Sequence, residues 1–463
     1  MLTFLIFPLV GIHLLLAFTQ PLGLVYLALL TGPFPLGLGA DDLINTPIGR
    51  MSSSAIRLFG LWLAAVFVIF LHFNKLWEYF VRYRLHFLFL LFCTFSLIWA
   101  PSLPYGARML AKLTAPFLFL LLVLIVVSKK DQLKMAEQLI IGSGCLLLLA
   151  AMTTKLLGMN THPFLTVPGL SPAVFSAHLV IVSMLTLGKL IIEKKLTNLF
   201  LLVIFFLAIL AAFTRIPIFG LLIGASVILF FSYRGIGRLL LPTVSLLGLI
   251  SLFLLNEQFR ARMFIGGDKL TAGEILEKPG EAFSNIYGSG RFAAWETVLD
   301  KFFDPTPSLG SGVGATQEFF YSHSSTGLGV IHSEYVRLLA EVGIIGLVLF
   351  LLAFLAYGRQ LRHTLLHAQT PTTKKYTLAA LGGIIAYLVF IATDNGFDYV
   401  NQFSIYVFTL VAMSLKAKEL ETNPLPSPIN LLHSEELSNS ELVSLSTSQQ
   451  RHKRRYDLLS DLT

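Results

Sequence analysis

Charge is what this sequence has least of. Charged residues make up 13% of its 463 positions, where a water-soluble domain carries about 25%. With 55% hydrophobic residues and a mean hydropathy of +0.75, an ordinary soluble globular chain is excluded. Cysteine is nearly missing: Cys93 and Cys145 both fall in apolar runs, which excludes a cysteine-based metal cluster and says nothing about redox compartment. The start lacks the basic n-region and small-residue cleavage site of a signal peptide, so it reads as retained membrane structure. No HExxH or other paired histidine–carboxylate pattern of the metalloprotease type occurs, and neither a metal nor another cofactor is expected.

What fills the sequence is oil in lengths of about 20 residues, the length that crosses a bilayer. Such runs lie at 55–73, 84–100, 106–128, 134–157, 171–192, 197–213, 216–233, 237–256, 333–357, 375–394 and 398–416. The first 38 residues are also apolar but are broken by "TQP" and "GPFP". They read as one span with an interfacial lead-in, or else as two short ones. The expected fold is therefore an all-α polytopic membrane protein of about twelve transmembrane helices.

Basic residues then orient it. The net charge of +8 and pI near 9.3 do not call for nucleic acid, because membrane proteins gather Lys and Arg in cytoplasmic loops. "NKLWEYFVRYR" (74–84), "SKKDQLK" (128–134), "EKK" (193–195), "YRGIGR" (233–238) and "GRQLRHTLLHAQTPTTKK" (358–375) fall on the inner side. "PSLPYG" (101–106), "MNTHPFLTVPGLS" (159–171) and the acidic "TDNGFD" (393–398) fall outside. The expected organisation is an N-terminal transmembrane bundle (1–256), a large, partly helical outer loop (257–332), C-terminal transmembrane helices (333–416) and a mobile cytoplasmic tail (417–463). Loops longer than about 15 residues are commonly functional, so the chemistry is expected in the outer one. The tail's "RHKRR" (451–455) suits contact with anionic lipid.

Several residues there carry chemistry. Arg215, in "AAFTRIPIFGLLIG" (211–224), sits at the outer interface, the side the charge rule disfavours. A boundary arginine that merely snorkels is the plain alternative. "YGSGRFAAWETVLDKFFDPTPSLGSGVGATQ" (287–317) opens a helix at Arg291, where helix end and guanidinium together suit an anion such as phosphate. Trp295, one turn on, can pack that helix to the membrane surface. "GSGVGA" (310–315) fails as a dinucleotide loop because no strand precedes it; a turn permitting close backbone approach remains. His332 closes the outer loop, and imidazole, with an ordinary pKa of about 6.5, suits proton transfer. Glu334 and Arg337 stand three apart on one helix face, close enough to pair. Arg260, Arg262, Arg337 and Glu334 are secondary candidates for substrate contact, and Glu334 or Glu341 could instead orient His332.

The order "TR" at an outer helix end, "SGRFAAW", "PSLGSGVGA" and "HSEYVRLLAEVGIIG", with a Ser-Trp feature in "FSLIWAPSLPYGARML" (95–110), resembles the O-antigen ligase and polymerase superfamily. The resemblance runs over roughly 55–416 and is strongest over 287–346. It implies an integral-membrane, metal-independent, nucleotide-independent glycosyltransferase of the C type in the bacterial inner membrane. Such enzymes move a glycan from undecaprenyl diphosphate to an acceptor at the periplasmic face, with inversion. The family's essential arginines map onto Arg215 and Arg291 and its essential histidine onto His332. Where the family often has Asn after that histidine, this chain has Ser333. The implied acceptor is lipid A core for a ligase, a lipid-linked repeat for a polymerase, or a protein side chain for a third relative. A transporter of the same lipid-linked sugar is the reading from a different class, although no internal repeat supports it.

Overall fold

The computed structural model describes residues 6–35, 43–46, 49–160, 162–257, 291–322 and 330–422, with residues 273 and 277 besides. The expectations placed on Arg260 and Arg262, on most of 257–290 and on the tail beyond 422 lie outside these. By contacts the chain divides into Met1–Lys418 and Glu419–Thr463; the first unit is described below, and of the second only the helical residues to Thr422.

Two short apolar helices open the chain, α1 (Ile6–Thr19) and α2 (Pro21–Thr31), and Pro21 starts the second because the first helical residue needs no amide proton. The single span favoured for the first 38 residues is thus two short helices. A small antiparallel hairpin follows, β1 (Leu43–Thr46) with β2 (Gly49–Ser52). All other regular structure among the described residues is helical: α3 (Ser53–Leu71), α4 (Phe73–Arg82), α5 (Arg84–Phe95), α6 (Leu103–Val126), α7 (Lys130–Leu156), α8 (Pro172–Glu193), α9 (Leu196–Ala211), α10 (Arg215–Ser232) and α11 (Gly237–Leu255). Later in the chain come α12 (Arg291–Val298) and α13 (Ala315–Ser322), then α14 (Glu334–Leu366), α15 (Pro371–Phe390) and α16 (Ile405–Thr422).

Six of these are long and apolar enough to cross a membrane, namely α3, α6, α7, α8, α10 and α14, or seven if α4 and α5 count as one bent span. The protein is therefore a polytopic all-α membrane protein, with fewer full-length crossings among the described residues than the twelve expected. One reason is visible at 74–84, read from sequence as a loop. It is helical, exposes Phe73, Trp77 and Val81 on one side, and meets α5 at 99°. Near the start of α7, Glu137 takes Lys189 of α8 and Lys375 of α15, each at 2.6 Å. α8, α10 and α15 pack against one another in the centre.

The feature that shapes the outer end is a break in α14 at Gly343 (φ 63°, ψ −169°), a conformation essentially restricted to glycine. The break opens the two helical bonds that would join the amides of Ile344 and Ile345 to the carbonyls of Ala340 and Glu341. The segment 307–312 fills both gaps. Ser311 N and Gly312 N donate to the Ala340 and Glu341 carbonyls at 2.9 and 2.8 Å, while Ile344 N and Ile345 N donate to the Pro307 and Ser308 carbonyls at 2.9 and 3.3 Å. A membrane tolerates a broken helix only where protein re-satisfies its backbone, and here a glycine-rich strap does so. The close approach expected of "GSGVGA" is made to α14: a Cβ on Gly310 would lie 2.5 Å from backbone atoms of Glu341, Val342 and Gly343.

Side chains clamp the strap. Trp99 Nε1 donates to the Gly310 carbonyl at 3.2 Å, and Ser96 Oγ accepts from Val313 N at 3.2 Å, so the Ser-Trp feature holds this turn. The Glu341 carboxylate accepts from Gly314 N at 2.8 Å and from the Thr316 hydroxyl at 2.5 Å. Beside it, the Arg337 guanidinium reaches Glu334 at 3.1 Å and Asp398 at 3.2 Å, and Lys112 reaches Asp398 at 2.5 Å. Burial pushes the Asp398 carboxyl up, but Lys112 and Arg337 outweigh it and hold that group well below the usual carboxylate range.

Gly343→Ala and Gly310→Ala are each expected to destabilise the protein by about 2–4 kcal/mol, from backbone strain and collision with the strap. Thermal unfolding in detergent should show a lowered midpoint for both. Gly358→Ala, in the same helix with nothing within 4 Å of the added carbon, should leave it unchanged or raised.

Candidate active site

Three outer loops that the charge pattern put on one side of the membrane meet around a cavity of about 320 Å³. His162 and Phe164 come from the α7–α8 loop, Arg291 and His332 from the large loop, and Asp394 and Tyr399 from the α15–α16 connection. Ser171, Pro172 and Ala173 at the start of α8, and Thr214 at the start of α10, complete the lining among the described residues.

Helix beginnings therefore dominate this space. Ser171 caps α8 by accepting from Val174 N at 3.3 Å, Thr214 is the N-cap of α10, Arg291 opens α12, and Ser333 caps α14 directly after His332. The starts of α8 and α10 are tied by a 2.6 Å hydrogen bond between the Ser176 and Thr214 hydroxyls. Each helix start carries roughly half a positive charge, so the cavity favours an anion before any side chain is counted. Arg291 adds a full positive charge on the same wall, held by its 2.6 Å bond to the Thr393 carbonyl. Arg215 follows Thr214 as the first residue of α10 and is half-buried; the cavity wall here is Thr214 rather than Arg215 itself.

His332 is held in an unusual backbone conformation, φ 54°. Asn395 grips it on both sides: its Oδ1 accepts from His332 N at 2.9 Å, and its Nδ2 donates to His332 Nδ1 at 3.1 Å. Because Oδ1 is committed to a backbone amide, the orientation of the side-chain amide is fixed, and Nδ1 is the acceptor in the neutral ring. Asp394 Oδ1 stands 3.6 Å from the same nitrogen and is itself held by Asn395 N at 2.8 Å and the Tyr399 hydroxyl at 3.1 Å. A second strained residue, Phe213 (φ 49°), immediately precedes Thr214. Among the described residues, two of the three non-glycine residues with positive φ thus flank the cavity, a distribution that marks functional sites.

Trp295 does something other than bind the membrane surface. It packs with Ala294, Val298, Phe302, Phe320 and Ile331 in a small core, and its Nε1 donates to the Ile331 carbonyl at 2.8 Å. It thereby fixes the residue just before His332.

The structure brings Arg291 and His332 to one cavity, with Arg215 one residue beyond its wall. It does not bring Glu334, Arg337 or Glu341 there. Those three are buried below it, where Glu334 accepts from Phe397 N at 2.8 Å and pairs with Arg337. The carboxylate beside His332 is Asp394. Asp394, Asn395, Tyr399 and His162 were missed from sequence because "TDNGFD" and "MNTHPF" served only as topology markers; the polar density of each against neighbouring oil was the available signal.

No curated protein matches the chain. Residues 200–351, which contain Arg215, Arg291 and His332, match the family model described as O-antigen ligase.

Proposed function

We propose that the protein is a metal-independent, inverting glycosyltransferase that moves a glycan from undecaprenyl diphosphate to an acceptor hydroxyl at the periplasmic face of the bacterial inner membrane. Lipid A core is the acceptor in this reading, which makes the reaction O-antigen ligation. One observation carries it: Arg291 and His332 line a single cavity together with the starts of α8, α10 and α12, inside or beside the matched segment. The reading takes α1–α2, α5, α9, α11, α15 and α16 as further crossings, completing about twelve.

The donor's diphosphate is the anion this cavity favours. Arg291, with Arg215 at the adjoining helix start, neutralises it, and that help grows as the leaving group gains charge. The acceptor oxygen attacks the anomeric carbon from the far side. The bond from that carbon to the phosphate oxygen breaks, its electron pair leaves with the diphosphate, and the acceptor proton passes to His332 Nε2. Two ring states serve this. With Nδ1 accepting from Asn395, Nε2–H is a donor that orients the acceptor oxygen. When the Asn395 bond to Nδ1 is given up and Nδ1–H turns to Asp394, whose Oδ1 stands 3.6 Å away, Nε2 presents the lone pair that takes the proton.

Membranes bearing His332→Ala, Arg215→Ala or Arg291→Ala, assayed at matched protein level with a lipid-linked donor, should each transfer glycan about 100-fold more slowly or worse. Undiminished transfer in all three sinks the proposal. In a deletion strain, free long glycan that fails to attach marks ligation, whereas single capped repeats mark polymerisation. Transfer by purified protein in detergent separates either from a transporter.

The resting ring of His332 should carry its proton on Nε2, readable from the ¹⁵N resonances of labelled histidine after subtraction of the His332→Gln spectrum. Asn395→Ala removes two hydrogen bonds of about 1 kcal/mol each; it should shift the Nδ1 resonance and slow transfer about tenfold. A resting ring protonated on Nδ1 alone contradicts the assigned geometry.

A further inference from the structure

The cavity holds a second imidazole. His162 lies in the α7–α8 loop, 170 residues before His332 in sequence, and lines the same space as Arg291. It is exposed, and an exposed loop histidine ordinarily has no fixed partner. This one is tied at several points. Its backbone amide donates to Asn160 Oδ1 at 3.0 Å, and its carbonyl accepts from Lys155 Nζ. Its ring nitrogen Nδ1 accepts from Phe164 N at 3.3 Å. The loop beneath is itself built from buried bonds: Asn160 Nδ2 to the Thr166 carbonyl at 2.6 Å, and the Thr166 hydroxyl to the Leu170 carbonyl at 2.7 Å. The His162 ring lies 5.3 Å from Phe164, and Phe164 lies 5.5 Å from Phe213, the strained residue ahead of Thr214 and Arg215. Ring position is thus coupled to the start of α10.

The tie to Phe164 decides what the ring can do. With Nδ1 accepting a backbone amide, the proton of the neutral ring sits on Nε2. A protonated ring also carries a proton there. Nε2 is therefore a donor in either state, and the ring has no lone pair to offer the cavity. That is the opposite of what a base needs and what an anion needs. In a cavity lined by helix starts and the Arg291 guanidinium, with the Asp394 carboxylate engaged by Asn395 N and the Tyr399 hydroxyl, the group it suits is a phosphate oxygen.

We infer that His162 donates a hydrogen bond from Nε2 to the diphosphate of the lipid-linked donor, on the leaving-group side of the cavity, while His332 serves the acceptor side. This rests on the glycosyltransferase reading above and adds a residue to it. No bond to His162 forms or breaks in the step: the diphosphate departs with the electron pair of the carbon–oxygen bond, and the Nε2–H bond shortens as charge collects on it.

The test uses the purified full chain with a polyprenyl-diphosphate-linked glycan and a defined acceptor. His162→Phe keeps an aromatic ring against Phe164 and removes the donor. His162→Gln keeps an N–H near the place of Nε2. His162→Phe should lower kcat about 10- to 100-fold with the acceptor KM unchanged. His162→Gln should recover most of the rate. A wild-type rate for His162→Phe, or a Gln variant as slow as Phe, overturns the inference while the site stands. Arg291→Ala and His332→Ala, run beside them, separate the two failures: if these also transfer at full rate, the reading of the whole site falls and the inference with it.

Discussion

Four backbone hydrogen bonds between the segment 307–312 and the broken turn of α14 hold the outer end of this molecule together. In lipid no peptide group can be left without a partner, so a helix that bends at Gly343 must be mended by something. The mender is the segment 307–312, and the consequence is that this segment is fixed against α14. α14 is polar before the break and apolar after it: Glu334, Arg337 and Glu341 are buried, while Ile344, Ile345 and Val348 are exposed along the oily stretch. The charges at the helix mouth are engaged with protein. Glu341 holds the strap, and the Glu334–Arg337–Asp398–Lys112 chain joins α14 to α6 and to the α15–α16 connection.

On that frame the cavity is assembled from ends rather than from faces. Starts of α8, α10 and α12 supply its walls, and the residue before α14 supplies its imidazole. Backbone dipoles need no reorganisation when charge develops nearby, which is the property that electrostatic catalysis uses. The two strained residues, Phe213 and His332, stand where the chain turns into helices at this cavity. Asn395 maintains one of them by holding both the amide and the ring of His332.

Much of this was legible in the sequence, and for identifiable reasons. Composition gave membrane helices because 13% charge leaves no other solvent for the chain. The three-residue spacing of Glu334 and Arg337 placed them within pairing distance, and they pair at 3.1 Å. Glycine spacing in 310–314 announced a close backbone approach, although not its target. What stayed hidden depends on contacts across long stretches of chain. Nothing local in "TDNGFD" says that Asn395 reaches back 63 positions to His332, or that His162 shares a cavity with Arg291. Helix boundaries differ from the apolar runs where amphipathic α4 lies between two of them, and where α1 and α2 divide at a proline.

The distances in sequence between the cavity's parts bear on how the protein comes into being. His162 is followed by Thr214, Arg291, His332 and finally Asp394 and Tyr399. A ribosome that has released everything through α14 has delivered the cationic wall but not the residues that discipline the imidazole. The last of the cavity's lining must wait for α15 and the connection after it. The cavity is therefore completed late in synthesis, and a chain stopped short of the α15–α16 connection lacks Asp394, Asn395 and Tyr399.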